Sequence, residues 1–256
     1  MIQTISIVGA GKVATHLSKK LQACGLHIRQ IYSRQLEAAQ VLAVTVNAQG
    51  INRWKDLQFS GLDLLIIAVK DQAIPEVAQQ LSTLPCHATL IVHTSGSSPL
   101  SWLNALHRCG IFYPLQSFSP GREPDFNQIP ICVEATNPAD QKLLVELGQR
   151  ISQKVQITSE ADRRSLHLAA IFVNNFVNHL YQIAAEILAE RQLPFDLLLP
   201  LIQETAAKIQ GHDPVEMQTG PALRGDRATI ERHLDMLEEH PEWRELYGVF
   251  TALIRA

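Results

Sequence analysis

The segment from Ile5 to Ala14 constrains the fold of this chain more than any other stretch. It reads as a short apolar strand, then a G-x-G-x-x-A turn, then the start of a helix. Gly9 suits the tight turn, Gly11 lacks the Cβ that would block a pyrophosphate, and Ala14 lets the helix pack closely on the strand. The helix N-terminus offers unpaired N–H groups to phosphates. Although glycine turns also occur in ordinary loops, the context predicts a dinucleotide site made of Gly9, Ala10, Gly11, Lys12 and Val13.

The second predicted strand, Leu26 to Tyr32, indicates which dinucleotide binds. NAD-binding folds commonly place Asp or Glu at the end of this strand, where it binds the ribose 2′-hydroxyl. This chain has Ser33 and Arg34 there instead. A hydroxyl and a guanidinium can bind a 2′-phosphate through charge-assisted hydrogen bonds, whereas an acid would repel it. We therefore favour NADP over NAD. The alternative is a purely structural role, in which Ser33 caps the next helix and Arg34 is solvated.

Composition limits the class of protein. The 256 residues are 46% hydrophobic, which is ample for a sizeable core, and the net charge of −3 gives no electrostatic case for nucleic acid or an anionic membrane surface. The longest apolar run, Leu64 to Val69, is too short to span a bilayer. Because the sequence enters a predicted strand almost at once, we expect no signal peptide. The cysteines and histidines show no metal-ligand spacing. We expect a cytoplasmic protein with reduced thiols, no bound metal, no nucleic-acid or membrane partner, and a small-molecule substrate.

Strands and helices alternate up to about Thr158, and only helical patterns follow. This order predicts a doubly wound, mostly parallel α/β domain of the Rossmann type followed by an all-α domain. We expect the nucleotide-binding domain at residues 1–158 and the helical domain at residues 159–256. The predicted strands after the first β-α-β unit are Leu62–Val69, Ala88–His93, Ile111–Tyr113, Ile129–Glu134 and Val155–Ile157, and the predicted helices are Asp71–Leu81 and Ala139–Ile151.

The first helix of the second part carries two stripes of side chains. At about 100° per residue, apolar residues between Leu166 and Leu188 form a core stripe. A polar stripe lies beside it and consists of Arg163, His167, Asn174, Asn178 and Tyr181. Because His, Asn and Tyr suit directed hydrogen bonds, this stripe predicts the wall of a substrate cleft or an interface, the alternative being a half-exposed face.

Ligands of a doubly wound sheet bind beyond the C-terminal ends of its strands. Val69 and Lys70 follow one such strand, where the backbone would pass the cofactor. His93 and Ser95 follow the next, where a nicotinamide ring is expected, and hydride transfer to a carbonyl or imine needs a proton donor such as histidine. The candidate catalytic residues are therefore His93, Ser95, His167 and Asn174. The alternative is that His93 merely ends its strand and that Ser95 bonds the loop backbone.

A compact turn near the C-terminus, Gly220 to Asp226, allows two interpretations. Asp226 could serve as the N-cap of the next helix. Equally, the turn could project Arg224 toward an anionic ligand or another subunit. The sequence does not separate the two.

The order of these motifs resembles that of a known family. The motifs are the glycine turn, Tyr32-Ser33-Arg34, His93-Thr94-Ser95-Gly96, the segment Phe112–Phe118, the segment Arg164–Ala170, Asn174-Asn175-Phe176 and the turn Gly220–Asp226. Together they resemble, over essentially the whole chain, NADP oxidoreductases that join a Rossmann-like domain to a C-terminal domain of unknown function, DUF2520. These are relatives of coenzyme-F420-dependent NADP oxidoreductases. The resemblance implies a 6-phosphogluconate-dehydrogenase-like architecture, a homodimer formed through the helical domain, and coenzyme F420 as one candidate second substrate.

Two hypotheses about function follow. The first is an NADP-dependent oxidoreductase that transfers a hydride between NADP(H) and a small carbonyl, imine or hydroxyacid compound. The second is a non-catalytic NADP(H) sensor. This hypothesis stays open because the polar stripe has no obvious lysine or carboxylate that could act as the acid–base. Related hydroxyacid dehydrogenases use a lysine on the helix where this chain has His167. Many family members carry histidine where this chain has Tyr113, and that departure argues against a catalytic role for position 113.

Overall fold

The first part of the chain forms a twisted sheet whose strand order reverses beside its first strand. A computed structural model describes residues 1–255. Within them, eight strands lie in the order β3-β2-β1-β4-β5-β6-β7-β8. All neighbouring strands in this described part pair in parallel, except that β6 and β7 are antiparallel. The strands are β1 Thr4–Val8, β2 His27–Tyr32, β3 Gln49–Ile51, β4 Leu64–Ile67, β5 Leu90–His93, β6 Cys109–Pro114, β7 Ile131–Ala135 and β8 Val155–Ile157. The predicted doubly wound, mostly parallel sheet is confirmed.

Successive residues of the central strands enter two different cores. Leu64 and Ile66 lie in one core and Leu65 and Ile67 in the other, because side chains alternate between the faces of a strand. Each of these four side chains is at most 1% exposed, and burying such a side chain stabilises the fold by about 2 kcal/mol. This is the pattern of a strand covered on both faces, as the unbroken apolar run predicted.

Helices cover both faces of the sheet. Helix α1 (Lys12–Ala23) contributes Ala14, Leu17 and Leu21 to the first core. Helices α2 (Leu36–Thr45) and α4 (Pro138–Ile151) also pack there. Helix α3 (Ile74–Ser82) covers the second core with the predicted side, Ile74, Val77, Ala78 and Leu81. The sheet therefore holds the loops at the carboxyl ends of its strands between two layers of helices.

Two local features differ from the predicted elements. No strand was predicted at β3, because three residues among polar neighbours carry too little alternation. Gly50 is needed there, since a Cβ would lie 2.8 Å from the Cα of Gln40 on α2. The predicted helix Asp71–Leu81 is divided: Asp71–Ala73 form a 3-10 turn, and α3 begins at Ile74, with a proline in its first turn where the missing N–H costs nothing.

The rest of the described chain is helical, as predicted. Its helices are α5 Glu160–Ala170, α6 Val177–Ala189, α7 Leu199–Ala207, α8 Pro221–Arg224, α9 Arg227–Met236 and α10 Pro241–Arg255. The chain forms two compact units, of which the first is Met1–Asn174 and the second begins at Asn175. Helix α5 therefore belongs to the same compact unit as the sheet. In residues 1–255, no helix has the length and apolar character needed to cross a membrane.

Helices α5 and α6 are joined by a π-helical turn, Ile171–Phe176. A π turn closes its hydrogen bonds over five residues instead of four, so it shifts the phase of the side chains that follow. A helical wheel drawn at a constant angle per residue therefore does not predict which face the residues after this turn occupy. The prediction that the apolar stripe is buried is wrong, because Val173 is 74% exposed and Leu166 is 37% exposed.

The turn before α9 contains a helix cap. Gly225 adopts a left-handed conformation with φ of 66°, and the carboxylate of Asp226 accepts the N–H of Thr229 at 3.1 Å. Hydrogen bonds from Thr229 hold the pKa of Asp226 below its usual value. Asp226 is thus the N-cap of α9, which confirms the first of the two interpretations.

Candidate functional site

Gly9 is required by the packing of three strand ends. Its φ is +125°, and a Cβ would lie 2.2 Å from the carbonyl oxygen of Ala68, just after β4. Its N–H donates to the carbonyl of Tyr32 at the end of β2, at 2.8 Å. The side chain of Val69 lies alongside, since its Cγ1 would be 3.5 Å from the same Cβ. The glycine turn, Val69 and the exposed Lys70 therefore meet at the carboxyl edge of the sheet.

Gly11 is not required by any contact within the described chain. A Cβ there would meet no atom within 4 Å. Gly11 is the N-cap of α1, and no side chain of the described residues caps this helix end. The N–H groups of Lys12 and Val13 therefore have neither an intrahelical partner nor a side-chain cap at the positive end of the helix dipole. A glycine that the protein itself does not need, beside uncapped N–H groups, fits the pyrophosphate of a dinucleotide.

Ser33 and Arg34 follow β2 at the same edge. The Ser33 Oγ accepts the N–H of Gln35 at 3.3 Å, so its hydroxyl helps to form the turn before α2 and keeps its own proton for another acceptor. Arg34 is exposed and makes no hydrogen bond or ion pair within residues 1–255. Its charge lies close enough to Tyr32 to oppose the rise in the pKa of that phenol, which burial causes. The two side chains keep the donors that a 2′-phosphate needs.

His93 ends β5 and is fully buried. Its Nδ1 accepts the N–H of Ser95 at 3.2 Å, so the ring shapes the loop that follows. Burial, helped by the nearby Arg163 guanidinium, lowers the pKa of His93 to about 4, against the opposing influence of the Pro99 backbone and the Asp71 carboxylate. The ring is therefore neutral at neutral pH and has no solvent-accessible surface. This geometry matches the structural alternative for His93, and its catalytic role stays a prediction.

Ser95 organises the same loop. Its Oγ accepts the N–H groups of Ser97 at 3.2 Å and Ser98 at 3.0 Å, and donates to the Oγ of Ser98 at 2.9 Å. The Oγ of Ser97 donates to the Asp71 carboxylate at 2.7 Å, which ties the loop after β5 to the segment after β4. The hydroxyl of Ser95 is therefore occupied within the loop, as the structural alternative expected.

Arg163 on α5 also belongs to this cluster, although the sequence placed it only on the polar stripe and not among the candidate catalytic residues. It is fully buried, although the polar stripe predicted a position on a cleft wall or an interface. Its Nη1 donates to the carbonyls of Ser95, Gly96 and Ser98 at 3.4, 3.0 and 2.8 Å. Its Nη2 lies 3.4 Å from the Glu134 Oε2. The only sequence signal was an arginine four residues before His167, which places both on one face of the helix.

Tyr113 and His167 meet beside Gly96. The Tyr113 hydroxyl lies 3.2 Å from the His167 Nδ1, and the two rings pack edge to face with centroids 6.1 Å apart. A Cβ at Gly96 would lie 2.6 Å from the Tyr113 Cζ and 2.7 Å from the His167 Nδ1. Burial raises the pKa of Tyr113 to about 12. The residue that the sequence discounted therefore contacts a predicted catalytic residue.

The other predicted polar residues, Asn174 and Asn178, follow α5 along the chain. Asn174 is exposed in the π-helical turn, and Asn178 is exposed on α6. In the part of the chain that the structure describes, no group of three or more His, Cys, Asp and Glu side chains could hold a metal ion. Of the four candidate catalytic residues, His93 at the end of β5 contacts Ser95 in the loop that follows, and His167 contacts that loop at Gly96.

Comparison with known families matches both parts of the chain. Residues 4–96 match the family described as NADP oxidoreductase, coenzyme F420-dependent, and residues 129–254 match the domain of unknown function DUF2520. No curated protein matches the sequence significantly.

Solved structures share the fold along the whole chain. A structure from Bacteroides fragilis, named "putative NADP oxidoreductase", is 39% identical, covers 99% of this chain and 98% of its own, and superposes with a TM-score of 0.93. A 1-pyrroline-5-carboxylate reductase from Streptococcus pyogenes is 16% identical, with coverages of 99% and 98% and a TM-score of 0.66. An imine reductase from Pseudomonas sp. is 15% identical, with coverages of 100% and 93% and a TM-score of 0.66. The last two are similar in fold alone.

The whole-length match at 39% identity agrees with the two family matches and with the glycine turn at the carboxyl edge of the sheet. Oxidoreductases of this kind use a nicotinamide cofactor, and the residues around Gly9 and Gly11 fit one. The chain belongs to the family of NADP oxidoreductases in which a coenzyme-F420-dependent NADP oxidoreductase domain is followed by DUF2520.

Proposed function

We propose that this protein transfers a hydride between NADP(H) and a small carbonyl, imine or hydroxyacid compound. The observation that carries the proposal is the contrast between the two glycines. The fold itself requires Gly9, whereas Gly11 leaves open space beside an uncapped helix end. The nicotinamide supplies the hydride chemistry when bound, and the protein supplies binding and orientation.

The cofactor residues follow the order of the strands. Ser33 and Arg34, after β2, would hold the 2′-phosphate of NADP, and the turn Gly9–Val13, after β1, would hold the pyrophosphate. Val69 and Lys70, after β4, would flank the cofactor on its way to the loop after β5. Because β2, β1, β4 and β5 are consecutive neighbours in the sheet, these groups form one path along its carboxyl edge. The guanidinium of Arg34, which is exposed and has no partner within residues 1–255, supports NADP over NAD.

His167 is the proposed proton donor to the substrate. It is half-buried, and it contacts the loop after β5 at Gly96. His93 and Ser95 would act by shaping that loop, since both are engaged within it. Asn174 stays a proposed substrate contact on its sequence alone, because it lies in the π-helical turn that interrupts the polar stripe. Imines deserve a place among the trial substrates because one structure of the same fold is named an imine reductase.

We further propose that residues 1–158 bind the cofactor and that residues 159–256 contribute to the substrate site and to a homodimer. Large apolar side chains are exposed along this second part, among them Leu168 at 61% and Val173 at 74%. Exposed apolar patches of this kind mark protein–protein interfaces. Measuring the molar mass in solution tests this: a wild-type dimer and a monomeric V173E variant are expected, and a wild-type monomer would refute the dimer.

The test of function is turnover with NADPH. The purified protein is mixed with NADPH and a panel of keto acids, aldehydes, cyclic and acyclic imines and a deazaflavin, and the loss of NADPH absorbance is followed. The reverse reaction uses NADP⁺ with hydroxyacids. Oxidation of NADPH that depends on one substrate class, and that a His167→Ala variant slows by about 100-fold or more, is expected. Tight NADPH binding without turnover of any panel member would favour the sensor hypothesis instead.

A further inference from the structure

We propose that Tyr113 is a positioning residue: its hydroxyl donates to the Nδ1 of His167 and fixes the imidazole in the tautomer that carries its proton on Nε2. The consequence for catalysis rests on the proposed function, because it concerns the nitrogen with which His167 would address the substrate. The hydrogen bond itself does not depend on that function.

The direction of the bond follows from the available partners. In a neutral imidazole one nitrogen donates and the other accepts. Tyr113 is only 9% exposed, and its hydroxyl has one hydrogen-bond partner among residues 1–255, the Nδ1 of His167 at 3.2 Å. If Nδ1 carried the imidazole proton, the buried phenol O–H would lose its acceptor, which would disfavour that tautomer by about tenfold or more. The phenol therefore donates, and Nε2 carries the imidazole proton.

The surrounding residues hold both rings in place. Gly96 makes the bond possible, because a Cβ there would overlap the Tyr113 Cζ at 2.6 Å and the His167 Nδ1 at 2.7 Å. The carbonyl of Gly96 accepts from the Nη1 of Arg163 at 3.0 Å. Arg163 lies one helical turn before His167 on α5, so one face of this helix fixes the loop and the imidazole together.

Tyr113 keeps its hydroxyl proton over the whole working range of pH. Burial is the main cause of the rise in its pKa to about 12, and the neighbouring Cys132 adds to it, against a smaller opposing effect of Arg163. Deprotonation of the phenol is therefore unfavourable, and Tyr113 is not the source of the substrate proton. Its role is to leave Nε2 of the neutral imidazole as the nitrogen that donates a hydrogen bond to a substrate oxygen or nitrogen. When the imidazole carries both protons and transfers the Nε2 proton to the substrate, the phenol oxygen accepts from Nδ1–H instead, so the contact holds the ring in place in both states.

The chain offers a matched control in its second compact unit. The Tyr247 hydroxyl lies 2.8 Å from the Nδ1 of His233, again with the rings edge to face. The same substitution, Tyr to Phe, can therefore be made at either pair. Each variant should change one histidine and leave the other unchanged.

The experiment is a long-range proton–nitrogen NMR spectrum of the full chain with ¹⁵N-labelled histidine, recorded without cofactor at a pH of about 9, where histidine is ordinarily neutral. His167→Gln assigns the His167 signals. In the wild type, we expect the population of His167 protonated on Nε2 to exceed the population protonated on Nδ1 by about tenfold or more. In Y113F, this ratio should become that of an unconstrained histidine. Y247F should leave His167 unchanged. A wild-type His167 protonated on Nδ1, or a ratio that Y113F does not change, would overturn the proposal; the wild-type spectrum decides even if a variant fails to fold.

Kinetics provide a separate test once a substrate is found. Y113F should lower kcat by about tenfold and leave the KM for NADPH unchanged, because the phenol acts on His167 and not on the cofactor. An unchanged kcat would refute the positioning role even with the expected NMR spectrum. If no substrate is turned over, the proposed function fails, and the NMR result still decides the tautomer.

Discussion

The Nη1 of Arg163 lies 2.8 Å from the backbone carbonyl of Ser98, so a buried guanidinium joins helix α5 to the loop that follows β5. A charged group is buried only when its hydrogen bonds repay much of the lost hydration. Here, four oxygen atoms receive them: the carbonyls of Ser95, Gly96 and Ser98 and the carboxylate of Glu134. This arrangement fixes the backbone at Gly96, beside which the side chains of Tyr113 and His167 meet.

Replacing Arg163 by lysine should destabilise the protein although it preserves the charge. One ammonium group cannot reach the oxygens that the planar guanidinium spans, so buried acceptors lose their donors. We expect R163K to lower the free energy of unfolding by about 3 kcal/mol, measured by denaturant titration. The control is R164K, because Arg164 is exposed and pairs with Glu160 at 3.8 Å across one helical turn. That change should cost less than about 0.5 kcal/mol, and equal effects of the two variants would contradict the account.

His93 should make the protein less stable in acid. Its pKa is lowered from 6.5 to about 4 in the folded protein, so the unfolded chain binds more protons between these values. Stability therefore falls as the pH is lowered from about 7 to 4, and the shift corresponds to about 3 kcal/mol.

The variant H93N tests this contribution, because its amide oxygen can replace the Nδ1 acceptor without titrating. Its free energy of unfolding, measured against pH, should show a smaller acid loss than that of the wild type. The control H27N replaces a histidine on the exposed side of β2 and should keep the wild-type slope. Parallel curves for wild type and H93N would mean that His93 does not couple folding to protonation.

Arg34 should determine the choice between the two nicotinamide dinucleotides. Removing its charge in R34Q is expected to weaken NADPH binding by about tenfold or more, with little effect on NADH, because a charge-assisted bond to the 2′-phosphate is lost. The control K20Q removes the same charge at the other end of α1 and should leave both affinities within about twofold. Equal losses for NADPH and NADH, or tighter binding of NADH by the wild type, would refute the assignment of Ser33 and Arg34.

The sequence was most informative where a few adjacent residues determine the geometry. The turn Gly9–Val13 and the apolar strands follow from local patterns, and the structure confirms them. The bond between Tyr113 and His167 joins residues 54 positions apart, and the bond between Arg163 and Ser98 spans 65. No pattern within one element specifies such partners. Similarly, no periodic pattern in the sequence predicts the π-helical turn at Ile171–Phe176. Because of this turn, the residues after it do not lie on the faces that a regular helix would give them.

The most direct test of the cofactor site is a calorimetric titration of NADPH into the wild type and the variant G11A. We expect the wild type to bind one NADPH per chain, and G11A to lose at least about tenfold in affinity with an unchanged melting temperature, because its new methyl group meets no protein atom within 4 Å but blocks the phosphate. G9A provides the contrast and should melt at a lower temperature, since its Cβ would overlap the Ala68 carbonyl. A wild type that binds neither NADPH nor NADH, or a G11A variant that binds NADPH as tightly as the wild type, would contradict the central claim.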